Sequence, residues 1–145
     1  MAKIKLLVDT DIVIDYLKGV KPARDLFKSD DIDIYCSVLS KKELLSKIGL
    51  RESERKRIME LMSRLKVLKI DTDINKKYML LLDEYGVRQG SIVDYVIAAT
   101  AWAKNLPLLT RNRKHFEWIK EIKLSPIYKY NNEEKEGGVL KYHFL

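Results

Sequence analysis

The stretch Ile4-Lys5-Leu6-Leu7-Val8-Asp9-Thr10-Asp11-Ile12-Val13-Ile14-Asp15 decides how this chain is read. Residues 4–8 form a short apolar run that suits a buried strand, and Asp9 ends it. Beyond that point the period changes. Ile12, Val13, Tyr16 and Leu17 recur on one face of a short helix, and Gly19 stands where a C-terminal cap belongs. Asp9 and Asp11 therefore follow directly on a buried strand.

The alternation of strand and helix continues outward from there. Pro22 opens a helix through Phe27, and residues 32–38 carry the alternating polarity and β-branched content of a second strand. Helical periodicity runs from Lys41 to Ile48, and again from Arg51 to Lys66 with Ile58, Leu61, Met62 and Leu65 as its apolar stripe. Val67–Ile70 reads as a third strand, and a helix marked by Ile74, Tyr78, Leu81, Leu82 and Tyr85 stops at Gly86. Ser91–Lys104 is almost wholly apolar, as a helix buried on most sides would be. Pro107–Leu109, a short helix over Arg113–Ile119, and Ile122–Leu124 complete about five strands. This is an α/β pattern, a parallel sheet covered on both faces. The expected domain spans residues 1–125. Residues 126–145 form a C-terminal extension that reads as a small hairpin of Ile127–Tyr130 and Val139–Phe144, packed on the same domain.

Composition excludes several classes. The 145 residues are 46% hydrophobic and 34% charged, inside the globular range and far from disordered chains. No apolar run approaches the roughly 20 residues of a membrane span and no signal peptide is evident, so the expected location is cytoplasmic. The single Cys36 and the two histidines, His115 and His143, cannot supply an internal disulfide or a structural zinc site. The net charge of +7 favours an anionic partner.

Open α/β sheets bind ligands beyond the carboxyl ends of their strands, and the side chains delivered there are mostly carboxylates. Asp9 and Asp11 follow the first strand, Glu43 follows the second, Asp94 opens the buried helix, and Thr110 and Asn112 follow the fourth strand. Without a Ser-His-Asp or Cys-His set, nucleophilic protein catalysis is disfavoured. Each acid also has a purely structural role open to it. Asp11 can cap the first helix, and Ser40-x-x-Glu43 and Ser91-x-x-Asp94 match the capping box. Gathered at one sheet end, however, such acids repel by roughly 3 kcal/mol per pair at about 5 Å and a dielectric near 20. A hard cation, Mg²⁺ or Mn²⁺, relieves that repulsion with oxygen ligands alone.

Four blocks of the chain, in order and spacing, resemble the PIN-domain proteins and especially the VapC-like toxin ribonucleases. They are Leu6–Asp15, Ser37–Ser40 leading to Glu43-Leu44-Leu45, Val93–Ala101, and Leu108–Phe116. The resemblance covers about residues 4–124. It implies an α/β/α sandwich, a Mg²⁺- or Mn²⁺-dependent endoribonuclease, a homodimer and an inhibitory antitoxin protein. Its metal-holding, catalytic acids fall on Asp9, Glu43 and Asp94, with Asp11, Thr110 and Asn112 supporting them and Arg111, Arg113 and Lys114 placed to hold RNA phosphates. Many members carry a fourth aspartate just before the phenylalanine that matches Phe116. Here that residue is His115, which leaves Asn112 or water to complete the site and reads as a packing or surface residue rather than a ligand.

Rival readings remain. Val8-Asp9-Thr10-Asp11-Ile12-Val13 also fits the signature of haloacid-dehalogenase-like phosphatases, but the late acidic pair of those enzymes has no counterpart in Leu109-Thr110-Arg111-Asn112. A non-toxin RNA-processing nuclease fits the same blocks, as does a catalytically weakened RNA-binding or assembly module. The helix Arg51–Lys66 offers Glu54–Arg57 and Glu60–Arg64 pairs at helical spacing, and its apolar stripe can serve either the core or a partner.

Overall fold

The computed structural model describes residues 2–87 and 91–129. Its elements run β1 (Ile4–Val8), α1 (Thr10–Leu17), α2 (Lys21–Lys28), β2 (Ile32–Ser37), α3 (Val38–Leu45), α4 (Glu52–Arg64), β3 (Lys66–Leu68), α5 (Thr72–Tyr85), α6 (Ser91–Ala103) and β4 (Leu108–Leu109), followed by a 3₁₀ turn at Arg113–His115. The strands form one parallel sheet in the order β3-β2-β1-β4, with Val8 opposite both Cys36 and Leu109. The carboxyl ends of β1, β2 and β4 are thereby brought level, with β1 between the other two.

Successive residues of β1 face opposite sides of the sheet, as the two-residue period of a strand requires. Leu6 and Val8 pack with Ile12, Val13, Leu26, Ile58 and Met62, under α1, α2 and α4. Leu7 packs on the other side with Ile74, Leu81, Tyr95, Ile97 and Phe116, under α5 and α6. The result is the expected α/β/α sandwich. Ile127 and Tyr128 are buried in the first of these cores, so the chain after β4 closes over the α1 side.

Three expectations are revised. The sheet has four strands instead of five, because Leu124 makes only a single parallel bridge to Leu108 before the chain turns away at Ser125 and Pro126. The helix expected over 113–119 is one 3₁₀ turn, which Phe116 ends by turning its side chain fully into the core. On α4 the stripe of Ile58, Leu61 and Met62 is buried and Leu65 half-buried, so the core takes it up. The expected hairpin lies, from Tyr130 onward, outside the described residues. No helix among the described residues is long and apolar enough to cross a membrane.

Candidate active site

The site grows from the end of β1. Asp9 is the N-cap of α1, its Oδ1 accepting the Thr10 N–H at 2.8 Å. The capping role thus belongs to Asp9, not to Asp11. Its other oxygen accepts the Thr110 hydroxyl at 2.8 Å, and that hydroxyl in turn accepts the Asn112 N–H at 3.0 Å. Asp9 is only 7% exposed and Thr110 not at all, so one carboxylate is fixed at both oxygens by residues of β1, α1 and the turn after β4. Asn112 contributes its backbone N–H to this arrangement.

Glu43 is carried by α3, which starts immediately after β2. The cap of α3 is Ser37, whose hydroxyl oxygen accepts the Leu39 N–H at 3.1 Å. Ser40 lies inside the helix instead. Fully buried, its oxygen accepts the Thr10 hydroxyl at 2.8 Å and so ties α3 to the first turn of α1. The capping-box reading of Glu43 fails for this reason, and its carboxylate is left exposed beside the other acids. Asp94 lies in the first turn of α6, which its neighbour Tyr95 anchors: Tyr95 is wholly buried, donates to the Gly86 carbonyl at 2.7 Å and meets the Trp118 ring edge-on.

Electrostatics show that these acids share one environment. Burial first, and then the charges of Asp9 and Asp94, raise the Glu43 carboxyl above its ordinary pKa. Burial likewise raises Asp94, with Asp9 adding to the shift, while His115 opposes it. Asp11 is pushed up to about 6 by burial and by Asp9; its Oδ2 accepts the Arg111 N–H at 2.8 Å, whereas its buried Oδ1 has no partner among the described residues. Mutual repulsion of this kind, with one carboxylate oxygen orphaned, suits an oxygen-ligated cation. Among the described residues no three acidic, histidine or cysteine side chains converge closely enough to encage an ion unaided.

The basic residues divide. The Arg111 guanidinium is clamped on Asp15, Nε to Oδ2 at 2.9 Å and Nη2 to Oδ1 at 3.0 Å, and the Tyr128 hydroxyl donates to the same carboxylate. Asp15 is 3% exposed, so this is an internal brace joining α1, the turn after β4 and the C-terminal segment. Arg113 donates to the Ser125 carbonyl at 2.8 Å, and Lys114 is exposed. Asp15 and Tyr128 carry no motif that marks them in the sequence, and Ser40 is misread there as a cap. The signal for Asp15 was its place four residues after Asp11 on a helix whose neighbouring positions are apolar.

A family model described as the PIN domain matches residues 6–121, and the chain belongs to that family. Among its relatives, the Ribonuclease VapC10 of Mycobacterium tuberculosis is 34% identical over 122 residues, covering 81% of this chain and 90% of that protein. Among solved structures, a toxin–antitoxin complex from Klebsiella pneumoniae superposes with a TM-score of 0.66 at 27% identity, over 81% of this chain and 94% of the other. The VapBC2 complex of Rickettsia felis, bound to a DNA fragment from its promoter, gives a TM-score of 0.73 at 24% identity over 87% and 100%. At that identity the last likeness speaks for the fold.

Proposed function

We propose that the chain is a divalent-metal-dependent endoribonuclease and the toxin of a toxin–antitoxin pair. The observation that carries this is that Asp9, Glu43 and Asp94, from three separate segments, lie at one sheet end near enough for the charge of Asp9 to raise the other two carboxyls, although they do not form an ion cage unaided. The relatives named ribonucleases and the complexes named toxin–antitoxin support it. An inhibitory antitoxin and a second copy of the chain are the protein partners this reading implies.

The three carboxylates would hold Mg²⁺ or Mn²⁺, with water completing a shell that the protein leaves open. Once bound, the ion would supply positive charge to the scissile phosphate and make water a stronger nucleophile. Asp9 is kept in place for this by Thr110 and by its own cap bond, and the Thr10–Ser40 link fixes α3, the helix that carries Glu43, against α1. Such outer bonds keep carboxylates oriented. Arg113 and Lys114 flank the same turn and would meet RNA phosphates, while Arg111 acts as a brace through Asp15. The phosphatase reading would make Asp9 a covalent nucleophile. The late acidic pair which that reading needs is missing, and the family model that matches residues 6–121 is the PIN domain.

Incubation with single-stranded RNA tests the reading. Cleavage is expected with Mn²⁺ or Mg²⁺, is expected to stop in EDTA, and is expected to fall by at least about a hundredfold in Asp94→Asn, in line with loss of a principal charge-stabilising group. RNA left intact by the wild type in either metal, or cleaved equally by Asp94→Asn, would overturn it.

A further inference from the structure

On the α1 side of the molecule, Arg24, Arg57 and Arg64 gather around a shallow recess of about 320 Å³ that Tyr16, Leu17 and Glu60 also line. The guanidinium groups of two of them are fixed by neutral acceptors. Arg57 donates to the Leu17 carbonyl at 2.7 Å, and Arg64 donates to the Tyr16 hydroxyl at 3.0 Å. Tyr16 is itself held by stacking on Phe27 at 4.8 Å. The helical pairs expected on α4 do not form: Glu54 turns to Lys47 and Arg51 instead. Among the described residues no carboxylate, Glu60 included, comes within ion-pair distance of Arg24, Arg57 or Arg64. Arginines aimed by neutral bonds keep their charge and most of their five N–H donors for an anion from outside, and the planar fork of such donors matches phosphate.

The recess adjoins a second one that runs toward Glu43 of the candidate active site. This larger apolar trough of about 490 Å³ shares Leu17 and Arg57 with the first and reaches Thr10 and Glu43 at its other end. Along α1 the two ends are separated by about 10 Å, at about 1.5 Å of rise per residue. We propose that the Arg24–Arg57–Arg64 recess is a remote phosphate subsite for single-stranded RNA, holding a backbone phosphate while the scissile bond lies at the Asp9–Glu43–Asp94 end. The proposal rests on the ribonuclease reading above. RNA is favoured over an acidic protein segment because the trough leads from the arginines to Glu43, one of the acids of the proposed nuclease site. Interactions of this sort fix the register of the strand without reading its bases.

The test measures binding apart from cleavage. Wild type in EDTA is titrated with a labelled single-stranded RNA of about twelve nucleotides, within the usual footprint of single-strand binders, over a range of KCl. Arg24→Glu plus Arg64→Glu is compared with Lys28→Glu plus Lys56→Glu, an equal charge change at exposed positions outside the recess. The recess variant is expected to bind at least about tenfold more weakly than the control and to lower the salt slope by about one for each phosphate it no longer neutralises. Arg24→Lys plus Arg64→Lys, which keeps the charge and loses the planar forks, is expected to bind between the wild type and the glutamate variant. Arg24→Glu alone breaks no hydrogen bond among the described residues, and keeps the test readable should the double variant lose stability. Equal weakening in recess and control variants would overturn the proposal. So would unchanged RNA binding, with or without reduced binding of an oligoglutamate peptide. Recess-dependent RNA binding by a wild type that cleaves nothing would uphold the subsite while refuting the nuclease reading; cleavage without recess dependence would do the reverse.

Discussion

His115 Nδ1 lies 3.2 Å from Asp94 Oδ2, so an imidazole from the turn after β4 touches an acid of the candidate site. By the family resemblance it stands where a further aspartate would be expected. The ring is 58% exposed and the carboxylate 25%, which keeps the pair accessible to water and to ions. His115 thus opposes the rise that burial and Asp9 impose on the Asp94 carboxyl. Restoring the acid by His115→Asp should lower the melting temperature in EDTA and enlarge the rise that Mn²⁺ produces. His115→Ala should cost less than about 0.5 kcal/mol, as expected for an exposed pair. Thermal melts with and without metal check both, and an unchanged metal response in His115→Asp would refute the account.

Metal itself should stabilise the fold. An ion that binds the folded acids and not the unfolded chain contributes about 2.7 kcal/mol at a hundred times its dissociation constant. Asp94→Asn should remove that gain and leave metal-free stability unchanged or higher. Asp9→Asn should remove it too, but at a metal-free cost of about 1 kcal/mol, because Asp9 also caps α1 and receives the Thr110 hydroxyl. Differential scanning fluorimetry at millimolar Mg²⁺ or Mn²⁺ reads all three proteins.

Asp11 should make metal-free stability depend on pH. Its folded pKa, pushed up to about 6, exceeds the unfolded value, so the folded state binds the proton more tightly. That contribution is full below the unfolded pKa and is lost as pH rises through about 6. Asp11→Asn mimics the protonated form and can still accept the Arg111 N–H. It should match wild type near pH 4 and exceed it above pH 7 by up to about 3 kcal/mol. Urea melts at both pH values measure the gap; a gap that widens toward acid would refute the assignment.

The brace around Asp15 should be costly to break. Asp15→Ala leaves the Arg111 guanidinium, 37% exposed, to water, but it removes a charged acceptor and strands the buried Tyr128 hydroxyl, at a cost of about 2–4 kcal/mol. Tyr128→Phe removes one donor from the same carboxylate and should cost about 1–3 kcal/mol. Denaturant unfolding checks the order of the two. If Tyr128→Phe were the worse, the C-terminal segment and not the ion pair would dominate.

Much of this architecture was legible because local signals agreed with the tertiary outcome. Residues 6–8 and the buried face of α6 are patterns that burial enforces, and the helix stop at Gly86 follows from a positive φ that glycine accepts. The acids Asp9, Glu43 and Asp94 could be picked out because strand ends are readable and because the blocks around them resemble a family. What escaped depended on partners far away in the chain. Ser40 looked like a cap, yet its hydroxyl is buried against Thr10, and only Ser37 stands at the true helix start. Arg111 looked like a phosphate ligand, yet Asp15 holds it. Arg57 and Arg64 looked like partners for Glu54 and Glu60, yet they reach across to α1. A cationic side chain chooses between water, a neighbour and a distant acceptor on geometry that a sequence pattern does not carry.

The bond between Asp9 and Thr110 joins positions 101 residues apart. Synthesis delivers residues in order, so the growing chain possesses Asp9, then Glu43, then Asp94, well before β4 exists to pair with β1. Until Leu109 and Thr110 have left the ribosome, Asp9 lacks the hydroxyl that orients it and the acids have no common frame. A parallel sheet assembled from such distant pieces also forms late in folding, since long loops must close first. The last fixing contact of the site is therefore made by residue 110, and a chain stopped short of it carries the acids without the hydroxyl that holds Asp9.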